Sequence, residues 1–288
     1  MYYRTDMAAE LHELRVKEYS KEHKGEPDGI FYEKTCRGGV DVCKVKVTNE
    51  NGEKLLGKPL GSYITVNVGR LWEADARRFG KCADVISSLI KELSDTDGAV
   101  LAVGMGNRYV TADALGPYAV KHIISTHHIS GKGVLQSSGL GDLSSLAPGV
   151  LSQTGIEAVR LIKAAVASVR PSLVIIIDAL AAAAVETLST SVQITDAGIS
   201  PGSGVGNDRG EISSRVLGVP VVAVGVPTVV DAAAFIKNGT EEDVKRFRGC
   251  YFCPKDSDRS VGELARLIGY SVNRVCHKGL SYEDMAYI

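Results

Sequence analysis

The chain has 288 residues, of which 44% are hydrophobic, and its formal net charge at pH 7 is −1. This composition is sufficient for a large buried core, and the balanced charge without a basic tract excludes an obvious nucleic-acid or membrane-surface partner. The N-terminus is charged within six residues and no apolar run reaches the length of a membrane span. We therefore expect a soluble, cytoplasmic protein without a secretory signal.

The first part of the chain predicts a helix followed by antiparallel strands. Residues 5–20 have an approximate apolar stripe with Thr5 or Asp6 as the cap, which is typical of an N-terminal helix. Residues 39–47 and 61–69 alternate apolar and polar side chains, as half-buried strands do. The NENG sequence between them predicts a turn, and hence a hairpin or meander.

In the second part of the chain, short apolar runs alternate with helical stretches, which is typical of strands buried on both faces of an α/β sandwich. The predicted strands are AVLAVGM (99–105), KHIIST (121–126), SLVIIID (172–178), SVQITD (191–196) and PVVAVGV (220–226). Helices are predicted at 73–95 and, with Thr154 and Glu157 as a capping box, at 154–170. The last 50 residues also look helical. We expect one α/β domain spanning residues 1–288.

Two aspartates occur in DAL triplets near predicted strand ends. Asp178 ends SLVIIID, and Asp113 lies a few residues beyond AVLAVGM, in a helix predicted to begin near Thr111. Ligand sites in open α/β sheets gather at the carboxyl ends of strands. Each acid also has a purely structural interpretation, because carboxylates stabilise helix N-termini: Asp178 would cap a helix over ALAAAAVETL.

If both acids face one cleft, their chemistry becomes more specific. Two like charges at close range cannot both stay ionised, so the pair can share a proton. Such a pair can activate water as a base and protonate a leaving amine as an acid. The sequence is therefore compatible with peptide hydrolysis that needs neither a metal nor a covalent intermediate.

Two further features carry candidate functional groups. The segment DAGISPGSGVGNDRG, residues 196–210, exposes backbone N–H groups that can bind phosphate or an oxyanion. It has neither the P-loop pattern nor the dinucleotide spacing, so a tight turn is an equally good interpretation. His127 and His128 follow KHIIST and could serve as a base or metal ligand, although a structural hydrogen bond is the commoner role of such a histidine.

The six cysteines are expected to be reduced thiols, because no secretory signal accompanies them. Cys250 and Cys253 in CYFC, together with Cys276 and His277, are an untypically spaced set of zinc ligands, and ordinary thiols are the simpler interpretation. The sequence contains no G-x-S-x-G elbow and no H-E-x-x-H motif. It therefore supports neither a serine hydrolase nor a helix-borne zinc protease.

Seven segments, in the same order, resemble the germination protease family of bacterial spores. They are RTDMAAELHE (4–13), LGKPLGSYITV (56–66), VGMGNRYVTADALGP (103–117), LAPGVLSQTGIEA (146–158), LVIIIDALA (173–181), VQITDAGISPGSGVGNDR (192–209) and LGVPVVAVGVPTVVDA (217–232). Together they cover most of residues 4–235. Several are long and unusual in composition, which makes the resemblance specific.

This resemblance implies an aspartic-type endopeptidase that initiates degradation of small acid-soluble spore proteins during germination. The family's two candidate catalytic aspartates fall on Asp113 and Asp178, and the resemblance implies neither a cofactor nor a metal. Further candidates for substrate or oxyanion binding are Asn107, His128, Gly202, Ser203, Gly204, Gly206 and Asn207. The implied fold is a three-layer α/β sandwich with a central mixed, largely buried sheet. That fold is similar to the phosphorylase/hydrolase-like fold of the hydrogenase maturation proteases.

The family resemblance also carries expectations about assembly and location. It implies a homotetrameric zymogen that removes a short N-terminal segment and acts in the cytoplasm of the spore core. Its partners would be the spore proteins that it cleaves, with no direct contact to nucleic acid or membrane.

The chain departs from the family pattern at several positions. Ala182–Ala184 replace a polar, basic stretch, and Ser200 replaces a histidine. Because only three residues precede RTDMA, residues 1–20 are interpreted as a helix with a vestigial propeptide region. Residues 236–288 are interpreted as a divergent helical part.

Three alternatives stay open. One is a metal-using peptidase similar to the hydrogenase maturation enzymes, in which Asp113, Asp178 and His128 bind a divalent ion. The second is a catalytically inactive paralogue that binds or scaffolds. The third is a nucleotide- or phosphate-binding enzyme that uses the glycine loop.

Overall fold

A computed structural model describes residues 5–22, 27–132, 135, 138–202, 210–235, 242, 246–247 and 249–286. The strands are β1 Ile30–Arg37, β2 Val40–Val47, β3 Gly61–Asn67, β4 Val100–Gly104, β5 Leu143–Leu146, β6 Leu173–Ala182, β7 Ser191–Thr195, β8 Val221–Asp231 and β9 Tyr251–Phe252. The helices are α1 Ala8–Glu22, α2 Glu50–Leu56, α3 Ala76–Leu93, α4 Leu115–Val120, α5 Leu151–Thr154, α6 Ala158–Val169, α7 Ser214–Leu217, α8 Ser257–Cys276 and α9 Tyr282–Ala286.

All nine strands of the described residues join one mixed sheet. Its order is β1-β2-β3-β7-β8-β6-β4-β5, and β9 pairs with β8. The pairs β8–β6, β6–β4 and β4–β5 are parallel. The pairs β1–β2, β2–β3, β3–β7 and β7–β8 are antiparallel. The parallel half therefore brings the carboxyl ends of β4, β6 and β8 to one edge of the molecule.

Helices cover both faces of the sheet. On β6, Ile175 and Ile177 point into a core shared with α3, α4 and α8, whereas Val174 and Ile176 point into a second core shared with α6 and α7. A third cluster packs α1 and α2 against β2 and β3. These apolar runs are buried on both sides because each face of the sheet meets a helix. The predicted α/β architecture, a large mixed sheet between helical layers, is confirmed.

Most predicted elements are confirmed within a few residues. The N-terminal helix, the strands of the first part, the long helix α3 and four of the five apolar strands are present. Helices near the C-terminus are also confirmed for α8 and α9. The described residues contain no helix that is both long and apolar enough to cross a membrane.

The prediction of a strand over KHIIST is wrong. After α4 the chain continues in turns, in which the N–H groups of His122 and Ile123 donate to the carbonyls of Ala119 and Val120 at 3.0 and 3.2 Å. Ile123 is nevertheless buried in the core. A short apolar run shows burial but does not distinguish a strand from a helical turn.

Three local predictions are also wrong. The NENG turn is the start of α2, capped by the side chain of Asn49. The capping box is not formed, because α6 begins at Ala158 and Glu157 makes no side-chain cap. No helix begins after Asp178, because β6 stays paired with β8 as far as Ala182.

Two strands carry little sequence signal. β1 is mostly exposed, so its side chains do not alternate clearly between apolar and polar. β5 has only four residues, with two serines in the middle. Each pairs with only one neighbouring strand, at an edge of the sheet. Edge strands need less apolar surface than central strands, which explains why neither was predicted.

Candidate active site

Asp178 lies inside β6, at the level where the neighbouring strand stops. Pairing between β4 and β6 ends at Gly104 and Ile177, whereas β6 stays paired with β8 for five more residues. The side chain of Asp178 is only 7% exposed, and its Oδ1 accepts the N–H of Ala179 at 2.9 Å. The prediction that Asp178 ends its strand is wrong: β4 ends there, and β6 continues past the opening.

The chain leaving β4 brings Asp113 back over this opening. Asp113 lies in a short 3₁₀ turn, Thr111–Asp113, just before α4. Its Oδ2 accepts the backbone N–H of Asn107 at 2.8 Å. The hydroxyl of Thr228 donates to the carbonyl of Ala112 at 2.6 Å, which ties the same turn to β8. The helix-start position predicted for Asp113 is thus close to the observed one, and contacts from the loop after β4 and from β8 fix it.

Gly106 allows the loop to close this tightly. Its φ of +111° is a backbone conformation that side-chain-bearing residues rarely adopt. A Cβ at this position would overlap the carbonyl oxygen of Asp113 and lie 3.0 Å from its Oδ1. The position of the Asp113 carboxylate therefore depends on glycine at position 106.

Asp113 and Asp178 line the same cavity, which has a volume of about 230 Å³. Its walls also include Asp6, Gly202 and Tyr251. A more open cavity of about 770 Å³ shares Asp6, Asp178 and Gly202 with the first. Since the two cavities share these walls, they form one cleft along the carboxyl end of β6.

The sequence analysis missed Asp6 as part of this cleft. Its backbone N–H donates to the carbonyl of Ala181 at 2.8 Å, and its Oδ2 accepts the Ala181 N–H at 2.9 Å. The side chain of Gln193 donates to the Asp6 carbonyl at 3.1 Å and accepts the N–H of Ala8 at 2.7 Å. The segment before α1 is therefore bound to the same strand that carries Asp178.

Glu10, in the first turn of α1, is the second link between this part of the chain and β6. It is 8% exposed and accepts the N–H groups of Ala183 and Ala184 at 2.7 and 3.2 Å. The hydroxyls of Thr5, at 2.5 Å, and Thr187 also donate to it. Four donors around one carboxylate fix the turn that follows β6. Alanines suffice at 183 and 184 for this purpose, because the contact uses their backbone.

Lys58 contributes a cation to the wider part of the cleft. It follows α2, is partly buried, and lines the same cavity as Asp6 and Asp178. Burial lowers the pKa of its ammonium, and the attraction of Asp6 opposes this shift. Asp6 belongs to RTDMAAELHE and Lys58 to LGKPLGSYITV, two of the segments that carry the family resemblance. Membership of these segments is the sequence feature that could have pointed to both residues.

The remaining predicted site residues lie in different places. Gly202 is in the wall of both cavities, with a φ of +79°. The side chain of Asn107 accepts the N–H of Tyr109 at 3.0 Å and the amide of Gln153 at 2.6 Å, so it braces the loop that holds Asp113. His128 is exposed, and it is not among the described residues that line either cavity.

Some predicted residues cannot be placed in the cleft. Ser203, Gly204, Gly206 and Asn207 lie outside the described residues. The neighbouring Pro201 and Gly202 lie in the cleft wall, so the glycine-rich segment reaches the cleft at least at these two residues.

The metal-binding hypotheses find no support in the described part of the chain. No group of three His, Cys, Asp or Glu side chains there is close enough to hold a metal ion. Cys250 and Cys253 are exposed free thiols. His277 is fully buried, where it accepts the Gly141 N–H and contacts the carbonyl of Ile124. It has the structural role that is common for a buried histidine.

The fold is an α/β sandwich with a cleft at the carboxyl ends of its parallel strands, where proteins of this class commonly bind their ligands. A family model described as germination protease matches residues 8–249 of this chain. The chain belongs to the germination protease family, and it is therefore a protease that cleaves within polypeptide chains.

Curated relatives agree with this assignment over most of the chain. The germination protease of Caldanaerobacter subterraneus subsp. tengcongensis is 45% identical over 84% of this chain and 74% of its own length. That of Clostridium tetani is 38% identical over 99% of this chain and 98% of the relative. That of Bacillus subtilis is 40% identical over 85% of this chain and 67% of the relative.

Proposed function

We propose that this chain initiates the degradation of small acid-soluble spore proteins during germination, and that Asp113 and Asp178 activate the attacking water. The observation that carries the proposal is that both carboxylates line one cavity, although they are far apart in the sequence. The family assignment supports the germination role.

Different surroundings suit the two acids to complementary steps. Asp178 is almost fully buried at a strand edge, whereas Asp113 is partly exposed in a loop and held by the Asn107 N–H. In the proposed reaction, the ionised member of the pair takes a proton from water, and the resulting hydroxide attacks the peptide carbonyl carbon. The protonated member then donates to the leaving nitrogen, so the pair returns to a single shared proton.

The oxyanion formed by this attack needs a donor in the cleft. Gly202 lies in the walls of both cavities, and its loop carries no side-chain bulk at that point. We assign stabilisation of the oxyanion to backbone N–H groups of the segment beginning at Gly202. Ser203, Gly204, Gly206 and Asn207 are further candidates for this role.

The proposal also includes the broader properties that the family resemblance implies. These are a homotetramer formed as a zymogen, activity in the spore core, and a fold similar to the phosphorylase/hydrolase-like fold of hydrogenase maturation proteases. The mixed sheet between helical layers is compatible with that fold.

Two amide substitutions test the catalytic assignment. Asp113→Asn and Asp178→Asn each remove one acid and keep nearly the same volume. We expect each to slow cleavage of a purified small acid-soluble spore protein by about 10⁴-fold, equivalent to about 5.5 kcal/mol of barrier. Fragment formation on gels gives the rate, and thermal unfolding shows whether each variant is folded.

Asp41→Asn, an exposed change on β2 far from the cleft wall, is the matched control and should cleave at the wild-type rate. A folded Asp113 or Asp178 variant with wild-type activity would refute the assignment of that acid. Absence of any cleavage by the wild-type protein would refute the proposed substrate.

A further inference from the structure

The edge of β6 has a gap in its hydrogen-bonded neighbours beside the two aspartates. On one side of β6, pairing with β8 continues to Ala182 and Val230. On the other side, the last contact with the β4 chain is the N–H of Met105 donating to the carbonyl of Ile177 at 2.7 Å. The carboxyl-terminal part of β6 is therefore paired with β8 on one side. On its other side, no strand of the described residues pairs with it.

The alternation of the strand identifies the residues that face this open edge. In parallel ladders, a residue directs both its N–H and its C=O to the same neighbour, and successive residues alternate. The N–H of Val174 donates to the carbonyl of Pro220, on the β8 side, at 2.9 Å, whereas Ile177 faces β4. Ala179 and Ala181 therefore direct their backbone groups to the edge that β4 has left.

Within the described residues, hydrogen bonds occupy both backbone groups at Ala181 but only the N–H at Ala179. At Ala181, Asp6 takes both the N–H and the carbonyl. At Ala179, the N–H donates to Oδ1 of Asp178, but no hydrogen bond within the described residues reaches its carbonyl. Ala179 lines both cavities of the cleft, so this carbonyl belongs to the wall beside the aspartates.

A carbonyl left without a donor at a strand edge is a site for an added strand. Backbone polar groups in folded proteins are almost always paired, and open edges pair readily with extended chains. The segment carrying Asp6 already reaches this edge two residues further along β6, where its backbone N–H donates to the carbonyl of Ala181. The Ala179 carbonyl, which has no donor among the described residues, adjoins Asp178, where the proposed function places the scissile bond.

We propose that the peptide substrate binds as an added strand at this edge, with one of its backbone N–H groups donating to the carbonyl of Ala179. This inference deepens the proposed function and rests on it. Because the contact uses only backbone, it selects for conformation: the substrate segment is extended and unpaired, as in a disordered chain, and folded loops or helices are excluded.

The sequence offers a direct probe of this carbonyl. Alanine followed by leucine occurs only at Ala114–Leu115 and Ala179–Leu180. Labelling alanine carbonyls with ¹³C and leucine amides with ¹⁵N therefore yields two signals in an HNCO spectrum of the wild-type protein. The carbonyl of Ala114 already accepts the Tyr118 N–H at 2.9 Å inside α4 and serves as the internal reference.

The ligand for this experiment is a non-cleavable peptide. Cleavage sites of a small acid-soluble spore protein are first mapped with the wild-type enzyme, and a peptide spanning one site is made with the scissile amide reduced to a methylene-amine. We expect the Ala179 carbonyl signal to move downfield on saturation while the Ala114 signal stays in place. Competitive inhibition of cleavage shows whether the peptide is bound. If it is bound and the Ala179 signal does not change, this inference is wrong while the proposed function stands.

Ester analogues of the same peptide identify the donor. Each replaces one backbone N–H with oxygen, and one position should abolish the Ala179 shift and weaken binding about 3- to 10-fold. An Ala179 shift that survives an ester at every position would overturn the inference. If the wild-type enzyme produces no cleavage site to map, the proposed function fails, and this inference fails with it.

Discussion

At the scale of single residues, the cleft depends on backbone conformations more than on side-chain chemistry. Gly106 turns the chain sharply after β4, and Asp113 fits against it with no room for a Cβ. Asn107 then donates its N–H to the Asp113 carboxylate. Glycine at position 106 is therefore a structural requirement for the acid, even though it has no functional group.

We predict that Gly106→Ala removes activity more strongly than stability. The added Cβ has to displace the carbonyl of Asp113, and the positive φ adds strain of about 1 kcal/mol. We expect at least a 100-fold loss in kcat/KM for a peptide substrate, measured on protein that still unfolds cooperatively.

Gly218→Ala is the control for strain alone. Gly218 has a φ of +71°, but nothing lies within 4 Å of the position of a Cβ. This variant should be slightly less stable and fully active. Equal activity losses in both variants would show that the contact with Asp113 has no special importance.

At the scale of elements, the carboxyl-terminal end of β6 is held by α1 through a carboxylate surrounded by donors. Glu10 accepts two backbone N–H groups of the turn after β6 and two hydroxyls. All four partners donate, so both oxygens of the side chain must act as acceptors. Charged acceptors at partly buried positions contribute more than neutral ones.

We predict that Glu10→Gln destabilises the protein by about 2–3 kcal/mol, because the new amide group meets donors and cannot accept from them. Denaturant unfolding measures this free energy. Glu18→Gln on the same helix is the control: Glu18 is exposed and makes a 3.6 Å surface ion pair with Arg15, so its loss should cost less than 1 kcal/mol. Similar values for the two variants would contradict the role of Glu10.

At the scale of the whole molecule, buried histidines make stability depend on pH. His277 joins the end of α8 to two distant loops: its Nδ1 accepts the Gly141 N–H at 3.2 Å, and its Nε2 lies 2.9 Å from the Ile124 carbonyl. Burial lowers the pKa of His277, while the bond to Ile124 opposes the shift. Nδ1 cannot take a proton without losing the Gly141 bond, so protonation of the ring is disfavoured in the folded protein.

The sign of the pH effect follows from that depressed pKa. As pH falls below the ordinary value of 6.5, the unfolded chain takes up a proton that the folded chain does not, so stability decreases with falling pH. We predict a loss of up to about 1.4 kcal/mol per pH unit from this site, continuing until the pH falls below the pKa of the folded state. Burial also lowers the pKa of His12 and His122, which act in the same direction.

Unfolding free energies measured between pH 7 and pH 5 check this prediction. His277→Gln should be less stable at pH 7 but should lose less stability on acidification than the wild type. His128→Gln, at an exposed position, should follow the wild-type slope. A His277 variant with an unchanged slope would show that this ring does not control the acid sensitivity.

The sequence by itself determined the α/β class and most central strands, because buried strands leave continuous apolar runs. It also singled out Asp113 and Asp178, which line one cavity, because an acid near the end of such a run stands out. It also carried the segments that resemble the germination proteases, and the family assignment confirms that resemblance. Local errors, such as the strand predicted over KHIIST, arose because a buried strand and a buried helical turn leave the same short apolar run.

Only the tertiary structure decided how the cleft is built. The opening exists because β4 stops one residue before Asp178 while β6 continues, and strand pairing of this kind leaves no pattern within either segment. Asp6, Glu10 and Lys58 reach the same region from distant parts of the chain. Asp6 and Glu10 bind backbone groups of β6 and of the turn after it, and Lys58 interacts with the charge of Asp6. Such contacts depend on three-dimensional proximity rather than on neighbouring residue types.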